Sequence, residues 1–241
     1  MGWSLYEDKQ CGGNRFAGII ERMFVKRFEN TPISSNCFVI YTEDNSNCMV
    51  VDPGTEDCSN VLPFLAERNL NVEYCFLTHE HIDHTAGLKA LHDKYGFKVI
   101  CSTICAAHLN DTKYNLSAII DQFIPLDYLP QANITFDDSL DLPWQDTILH
   151  FYVMPGHSRG SSIMVLDDEL IVGDNLIKGA RTKANFFGGS KKELLESMNK
   201  ILDRYGENDM MVHCGHFESC SMEEIKPEID NQIDFLKNKL N

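Results

Sequence analysis

The sequence is short of positive charge. Lys and Arg total 21 against 36 Asp and Glu in 241 residues, a formal net charge of −15 at pH 7. A nucleic-acid partner needs a basic footprint to neutralise phosphates, so this balance argues against one. Small anionic substrates stay open, because a bound cation dominates its local field. No apolar stretch approaches the roughly 18 residues of a membrane helix, and none of signal-peptide length opens the chain, so neither a membrane partner nor export is expected. Tyr6 stands where a myristoylation pattern after Gly2 needs Ser or Thr. The nine cysteines are odd in number and scattered; without an export signal they read as reduced thiols of a cytoplasmic protein. Cys101 with Cys105, and Cys214 with Cys220, lack zinc-ribbon spacing and read as small buried apolar residues. No repeat, low-complexity tract or Pro/Gly/Ser-rich linker divides the chain. Residues 1–22, including Cys11-Gly12-Gly13-Asn14, therefore read as an N-terminal extension and residues 23–241 as a single domain.

Short apolar, β-branched runs bounded by turn residues predict strands at Met23–Phe28, Cys37–Tyr41, Cys48–Val51, Val72–Leu77, Phe97–Cys101, Ile134–Phe136, Leu149–Met154, Ser162–Leu166 and Glu169–Val172. Asp167-Asp168 joins the last two as a hairpin turn. Helices are expected over Asn60–Arg68 and from Leu88 to Tyr95, where Gly96 is the stop. Ser190-Lys-Lys-Glu193 is a capping box ahead of Leu194, Met198, Ile201 and Tyr205. Ile225, Ile229, Ile233, Leu236 and Leu240 form a last helical stripe of core type. Asn110–Asp127 is mixed in pattern and predicts no element. Alternating strands and helices imply α/β layers.

Thr78-His79-Glu80-His81-Ile82-Asp83-His84 packs four ligand-type residues into six positions directly after a predicted strand. Imidazole and carboxylate are the ligands of zinc and its first-row neighbours. Desolvated together they are costly without a cation, so packing alone explains them poorly. Three further ligand-type positions follow: His157 in Pro155-Gly156-His157-Ser158, Asp174 after Gly173, and His213-Cys214-Gly215-His216. Each ends an apolar strand. In layered α/β proteins the functional loops gather at one sheet edge, which points to one shared site.

On these residues the chain resembles the metallo-β-lactamase superfamily, and within it the hydroxyacylglutathione hydrolase (glyoxalase II)-like branch. Asn36-Cys37-Phe38 resembles the family's Asn-Cys-Tyr strand, and Val51-Asp52-Pro53-Gly54 its first motif. His79 to His84 with Thr85-Ala86-Gly87 is the second and most specific. Asn115-Leu116-Ser117 is similar to a segment of that branch; the third, fourth and fifth motifs are Pro155-Gly156-His157-Ser158, Gly173-Asp174 and Gly215-His216. The resemblance implies a four-layer αββα sandwich with two divalent metal ions between the sheet ends. It assigns His79, His81 and His157 to one ion, and Asp83, His84 and His216 to the other. Asp174 bridges them, Asp52 supports a ligand imidazole, and Asp83 doubles as the catalytic base. Zinc fits the ligands best, with iron and manganese as alternatives. The implied function is hydrolysis of a thioester or related acyl compound, a small-molecule substrate. A thiolate leaves with little acid help, its conjugate acid having a pKa of about 8.5.

Some positions depart from the family. Only residues 217–241 follow His216, so no counterpart of the C-terminal helical domain that contacts glutathione is expected, nor glutathione specificity with it. Phe217 replaces the glycine of the usual Pro-Gly-His-Gly, which makes it a candidate pocket wall. His213 reads as a bystander, with support of a neighbouring ligand as the alternative. Arg181 and Lys183, in Gly179-Ala180-Arg181-Thr182-Lys183, are candidates for an anionic substrate group. Single-iron persulfide dioxygenases of the superfamily carry Gly-Arg-Thr-Asp there, and the missing Asp lowers that alternative. Zinc β-lactamases commonly place a cysteine where this chain has Asp174 or Asp83, which lowers antibiotic hydrolysis. A non-catalytic metal-binding protein is the third reading, opposed by a ligand set larger than the four that a structural zinc needs.

Overall fold

The structure is a computed structural model that describes residues 23–120, 122 and 129–240. The expected N-terminal extension, residues 1–22, lies outside the described residues. Strands β1 (Phe24–Glu29), β2 (Asn36–Tyr41) and β3 (Asn47–Val51) open the domain, followed by α1 (Leu62–Glu67) and β4 (Asn71–Phe76). Then come α2 (Ile82–Thr85), α3 (Leu88–Tyr95), β5 (Lys98–Ser102), α4 (Thr103–His108) and β6 (Ile134–Phe136). The second half runs β7 (Ser139–Trp144), β8 (Thr147–Val153), β9 (Ser162–Leu166), β10 (Glu169–Gly173), α5 (Lys191–Tyr205), β11 (Met211–Cys214), β12 (Cys220–Ser221) and α6 (Met222–Leu240).

Two six-stranded sheets result, in the orders β1-β2-β3-β4-β5-β6 and β12-β11-β10-β9-β8-β7. Because side chains alternate along a strand, each sheet has two apolar faces to bury. Cys37, Val39, Cys48 and Val50 point to a core shared with Leu65, Leu88, Leu91 and Leu109 of the first helical layer. Their neighbours Phe38, Ile40, Met49 and Val51 point the other way and meet Phe151, Met164, Leu166 and Ile171 between the sheets. On the far side, Ile163, Val165, Leu170 and Val172 pack on Leu194, Met198, Ile201, Ile225 and Ile229 of α5 and α6. These three apolar layers make the expected αββα sandwich.

Most expected elements are present within a residue or two. Ser190 Oγ caps α5 by accepting from the Glu193 amide, as the capping box predicts. Strand β7 was not foreseen. Ser-Leu-Asp-Leu-Pro-Trp alternates over a short run and contains Pro143. Proline is tolerated there because β7 is the outer strand of its sheet. None of the described helices is long and apolar enough to cross a membrane. All eight described cysteines are buried free thiols.

Phe151 is fully buried, with its ring 4.9 Å from that of Phe76 across the sheet interface. Truncation should leave a cavity that two rigid sheets cannot close. Phe151→Ala is expected to cost about 3–5 kcal/mol in urea unfolding; a loss below about 1 kcal/mol would show that the sheets collapse onto the gap.

Candidate metal centre

The parallel pairs β3–β4 and β10–β11 aim their C-terminal ends at one edge of the sandwich. Asp52 follows β3, the His79–His84 run follows β4, His157 follows β8, Asp174 follows β10 and His216 follows β11. The edge is stitched across the sheets by Ser162, whose amide and hydroxyl both donate to the Thr78 carbonyl. Asp83 and His84 sit on α2, a single helical turn supported where the Ile82 amide donates to the Asn115 carbonyl at 2.8 Å. The Asn115-Leu116-Ser117 segment thus acts from beneath this turn.

The predicted ligand positions meet at this edge. His79 Nε2 lies 3.1 Å from His81 Nδ1, and His157 Nε2 lies 3.0 Å from the same atom. The second group comprises Asp83, His84 and His216, with His84 Nε2 and His216 Nε2 each 3.6 Å from Asp83 Oδ2. Asp174 stands between the groups. Its Oδ2 is 3.4 Å from His157 Nε2 and 3.3 Å from His216 Nε2, and its Oδ1 is 3.5 Å from His84 Nε2.

The outward nitrogens decide which tautomer each ring adopts. His157 Nδ1 faces the Lys183 carbonyl at 2.8 Å and His216 Nδ1 faces the Ser34 carbonyl at 2.7 Å. A carbonyl only accepts, so both rings carry their proton outside and turn a lone pair inward. His84 Nδ1 donates to Asp52 Oδ2 at 3.0 Å. The Thr78 hydroxyl gives its proton to Asp52 at 2.6 Å, which leaves its oxygen to accept from His79 Nδ1 at 3.0 Å. His81 is the exception: its Nδ1 points inward, and its buried Nε2 has no partner. The inward atoms His84 Nε2 and Asp174 Oδ1 are likewise buried without a partner. With every ring neutral these lone pairs face one another and repel; without a cation, His84 instead keeps a second proton beside Asp83 and Asp174. A cation satisfies all of the lone pairs. Tetrahedral coordination at about 2.0–2.1 Å separates donors by about 3.3 Å, close to the spacings here. Asp52, though within reach of His79 and His84, has its oxygens occupied by Thr78 and His84.

The glycines near the centre make room for it. A Cβ on Gly215 would fall 2.0 Å from Asp174 Oδ1, and one on Gly173, at φ +52°, would meet Thr78 Oγ1 at 2.5 Å. Of the proposed substrate contacts, Arg181 is not brought to the centre; its guanidinium lies over the Phe235 ring of α6 at 4.3 Å. Lys183 contributes its carbonyl to His157 and holds its ammonium 5.9 Å from the Phe186 ring. Phe217 is beside His216, with ring centroids 6.4 Å apart.

His213 is not among the converging donors, but it is no surface bystander. Its ring is buried, with Nε2 2.6 Å from Glu169 and Nδ1 2.9 Å from Ser219 Oγ. It braces the β11–β12 hairpin that carries His216. Asn36 does the same from the other sheet, donating to the Cys214 carbonyl at 2.8 Å and the Phe217 carbonyl at 2.7 Å. Sequence reasoning missed the roles of Thr78, Ser34 and the Lys183 carbonyl. Two of these act through backbone oxygen, for which residue type carries no signal.

A family model described as Metallo-beta-lactamase superfamily matches residues 30–207. The chain belongs to the metallo-beta-lactamase superfamily. Its candidate His/Asp metal centre sits on this superfamily's metal-binding, hydrolase-type fold. Among curated relatives, a probable metallo-hydrolase YqgX of Bacillus subtilis (strain 168) is 28% identical over 198 residues, covering 79% of this chain and 89% of that one. A hydroxyacylglutathione hydrolase of Shewanella sp. (strain ANA-3) is 26% identical over 201 residues, covering 83% and 68%. The crystal structure of BLEG-1 B3 metallo-beta-lactamase shares the fold, with a TM-score of 0.79 at 24% identity over 87% of this chain and 99% of that one.

Charge couples the centre to pH. Burial first, then neighbouring imidazoles, hold the pKa values of His79 and His81 well below 6.5. Burial also opposes charge on His84, but Asp83, Asp174 and Asp52 outweigh it and raise its pKa to about 10. His79 and His81 bind protons more readily unfolded, so their contribution is lost as pH falls below 6.5. His84 binds its proton more tightly folded, so its contribution is lost as pH rises from 6.5 towards 10. The metal-free chain should therefore be most stable near pH 6.5. In His81→Asn the acid limb should flatten by up to about 1.4 kcal/mol per pH unit, one proton's worth. Thermal melts of chelated protein from pH 5 to 10 check this, and an unchanged acid limb would contradict it.

Proposed function

We propose that this protein is a binuclear metal-dependent hydrolase of thioesters or related acyl compounds, of the hydroxyacylglutathione hydrolase-like kind. The observation that carries the reading is the doubled donor set. Three inward imidazole nitrogens form one group, a carboxylate and two imidazoles form the other, and Asp174 presents an oxygen to each. The second group favours two cations over the single iron of a persulfide dioxygenase. Zinc suits these nitrogen and oxygen donors. When bound, the two ions supply Lewis acidity and lower the pKa of water towards neutrality.

The chain's own residues do the rest. Thr78, Asp52, Ser34 and Lys183 hold the imidazoles in the tautomer that leaves inward lone pairs free. Asp83 and His216 lie at the solvent-facing edge, their side chains 11% and 19% exposed, whereas those of His84 and His157 are 0% and 4%. The substrate's carbonyl enters from that edge. Asp83 carries a carboxylate oxygen there to orient the attacking water and accept its proton. A thiolate departs unaided. That asymmetry favours thioesters over oxygen esters and amides, and it speaks against a purely structural metal site, which has no open side.

The test is a panel of thioester, lactone and phosphodiester substrates on protein of measured metal content. About two equivalents of transition metal and preferential thioester turnover are expected. Asp83→Ala should lower kcat by about 100-fold or more with the fold retained by circular dichroism. Fewer than one equivalent of metal in carefully purified protein would sink the reading.

A further inference from the structure

Phe217 combines three properties that core packing does not reconcile. The residue is 57% exposed. Its backbone has φ +63°, the left-handed region that bulky residues avoid and glycine enters freely. And it follows His216 directly, beside the part-exposed side chains of His216 and Asp83. The conformation is held firmly: Asn36 Nδ2 donates to the Phe217 carbonyl at 2.7 Å, Arg27 Nη1 reaches the same oxygen at 3.4 Å, and Arg27 Nη2 pairs with Glu218 at 2.7 Å. The hairpin thus pins a glycine-like backbone and hangs a large apolar ring from it into water.

The surroundings are of the same chemistry. The Phe186 ring lies 6.0 Å from that of His81 and 6.2 Å from that of His157, beside the other donor group. Ile33 is half-buried, next to Ser34, whose carbonyl holds His216. Apolar side chains therefore flank a polar, charged centre on both sides. A ligand suited to such a place has a polar group that reaches the donors and an apolar body that covers the rings.

We propose that Phe217 is a specificity-determining residue that selects compounds with an apolar acyl group, aliphatic or aromatic, by stacking that group against its ring beside His216. The proposal rests on the hydrolase reading for the reaction, but its test does not. Strained backbone at a functional edge is retained when the side chain serves a ligand and not the fold.

Carboxylates are the products of acyl hydrolysis and present the same tail. Acetate, butyrate and 4-phenylbutyrate would be titrated calorimetrically into the zinc-loaded protein, its Phe217→Gly variant and its Phe217→Leu variant. Wild-type affinity should climb about tenfold or more from acetate to 4-phenylbutyrate, as burial of the added apolar surface requires. Phe217→Gly should compress that ladder to within about threefold, and Phe217→Leu should keep most of it. The Gly variant should also melt at the wild-type temperature or about 2 °C above it, since glycine relieves the backbone. A flat series in the wild type, a full ladder in Phe217→Gly, or a Gly variant whose melting point falls by more than about 4 °C would each overturn the proposal. A protein that shows the ladder yet hydrolyses no thioester keeps this inference and loses the hydrolase reading.

Discussion

Everything at the sheet edge depends on where a few protons are. The outward nitrogens of His79, His84, His157 and His216 each face an oxygen that accepts. In the neutral rings the inward nitrogens are therefore bare, and together with the carboxylates of Asp83 and Asp174 they surround a volume that no other donor among the described residues fills. Left alone, such an arrangement costs free energy through desolvation and repulsion. It persists because two packed sheets and their helices hold each strand end in place.

The fold and the site are thus coupled in both directions. The three apolar layers stabilise the molecule, and that stability tolerates a polar cluster at its edge with orphaned atoms at His81, His84 and Asp174. In return, the cluster restricts what the edge can be. Gly215 has no room for a side chain because Asp174 and His84 occupy it. Asn36 and His213 spend their hydrogen bonds on the hairpin around His216, the most exposed of the converging imidazoles. A cation converts the repulsion at the centre into attraction, which is why metal binding and folding share one free-energy balance here.

Much of this could be read from the chain before any coordinates. The His79–His84 run is local, so its spacing alone identifies metal chemistry. His157, Asp174 and His216 each close an apolar run, and strand ends are where layered folds collect function. The strands themselves were equally plain as short apolar runs, but β2, β3, β9 and β10 are apolar on both faces, so which residue meets which layer waits for the fold. Short or interrupted runs were harder: β7 hides behind Pro143, and α2 is one turn long. Lys183 was expected to act through its charge, whereas its carbonyl is what holds His157; Arg181 lies on Phe235, more than fifty residues further along the chain.

The amino-acid sequence by itself determined the donor types, their order and the positions of most strands, because those follow from side-chain chemistry and from local apolar runs. Only the tertiary structure decided which nitrogen of each histidine points inward, that Asp174 lies between two donor groups, that His213 braces rather than binds, and that Phe217 is held in a glycine's conformation beside the open edge. Those properties depend on backbone carbonyls and on contacts between residues far apart in the chain. Backbone oxygen is the same at every residue, so no pattern of letters announces which one will face an imidazole.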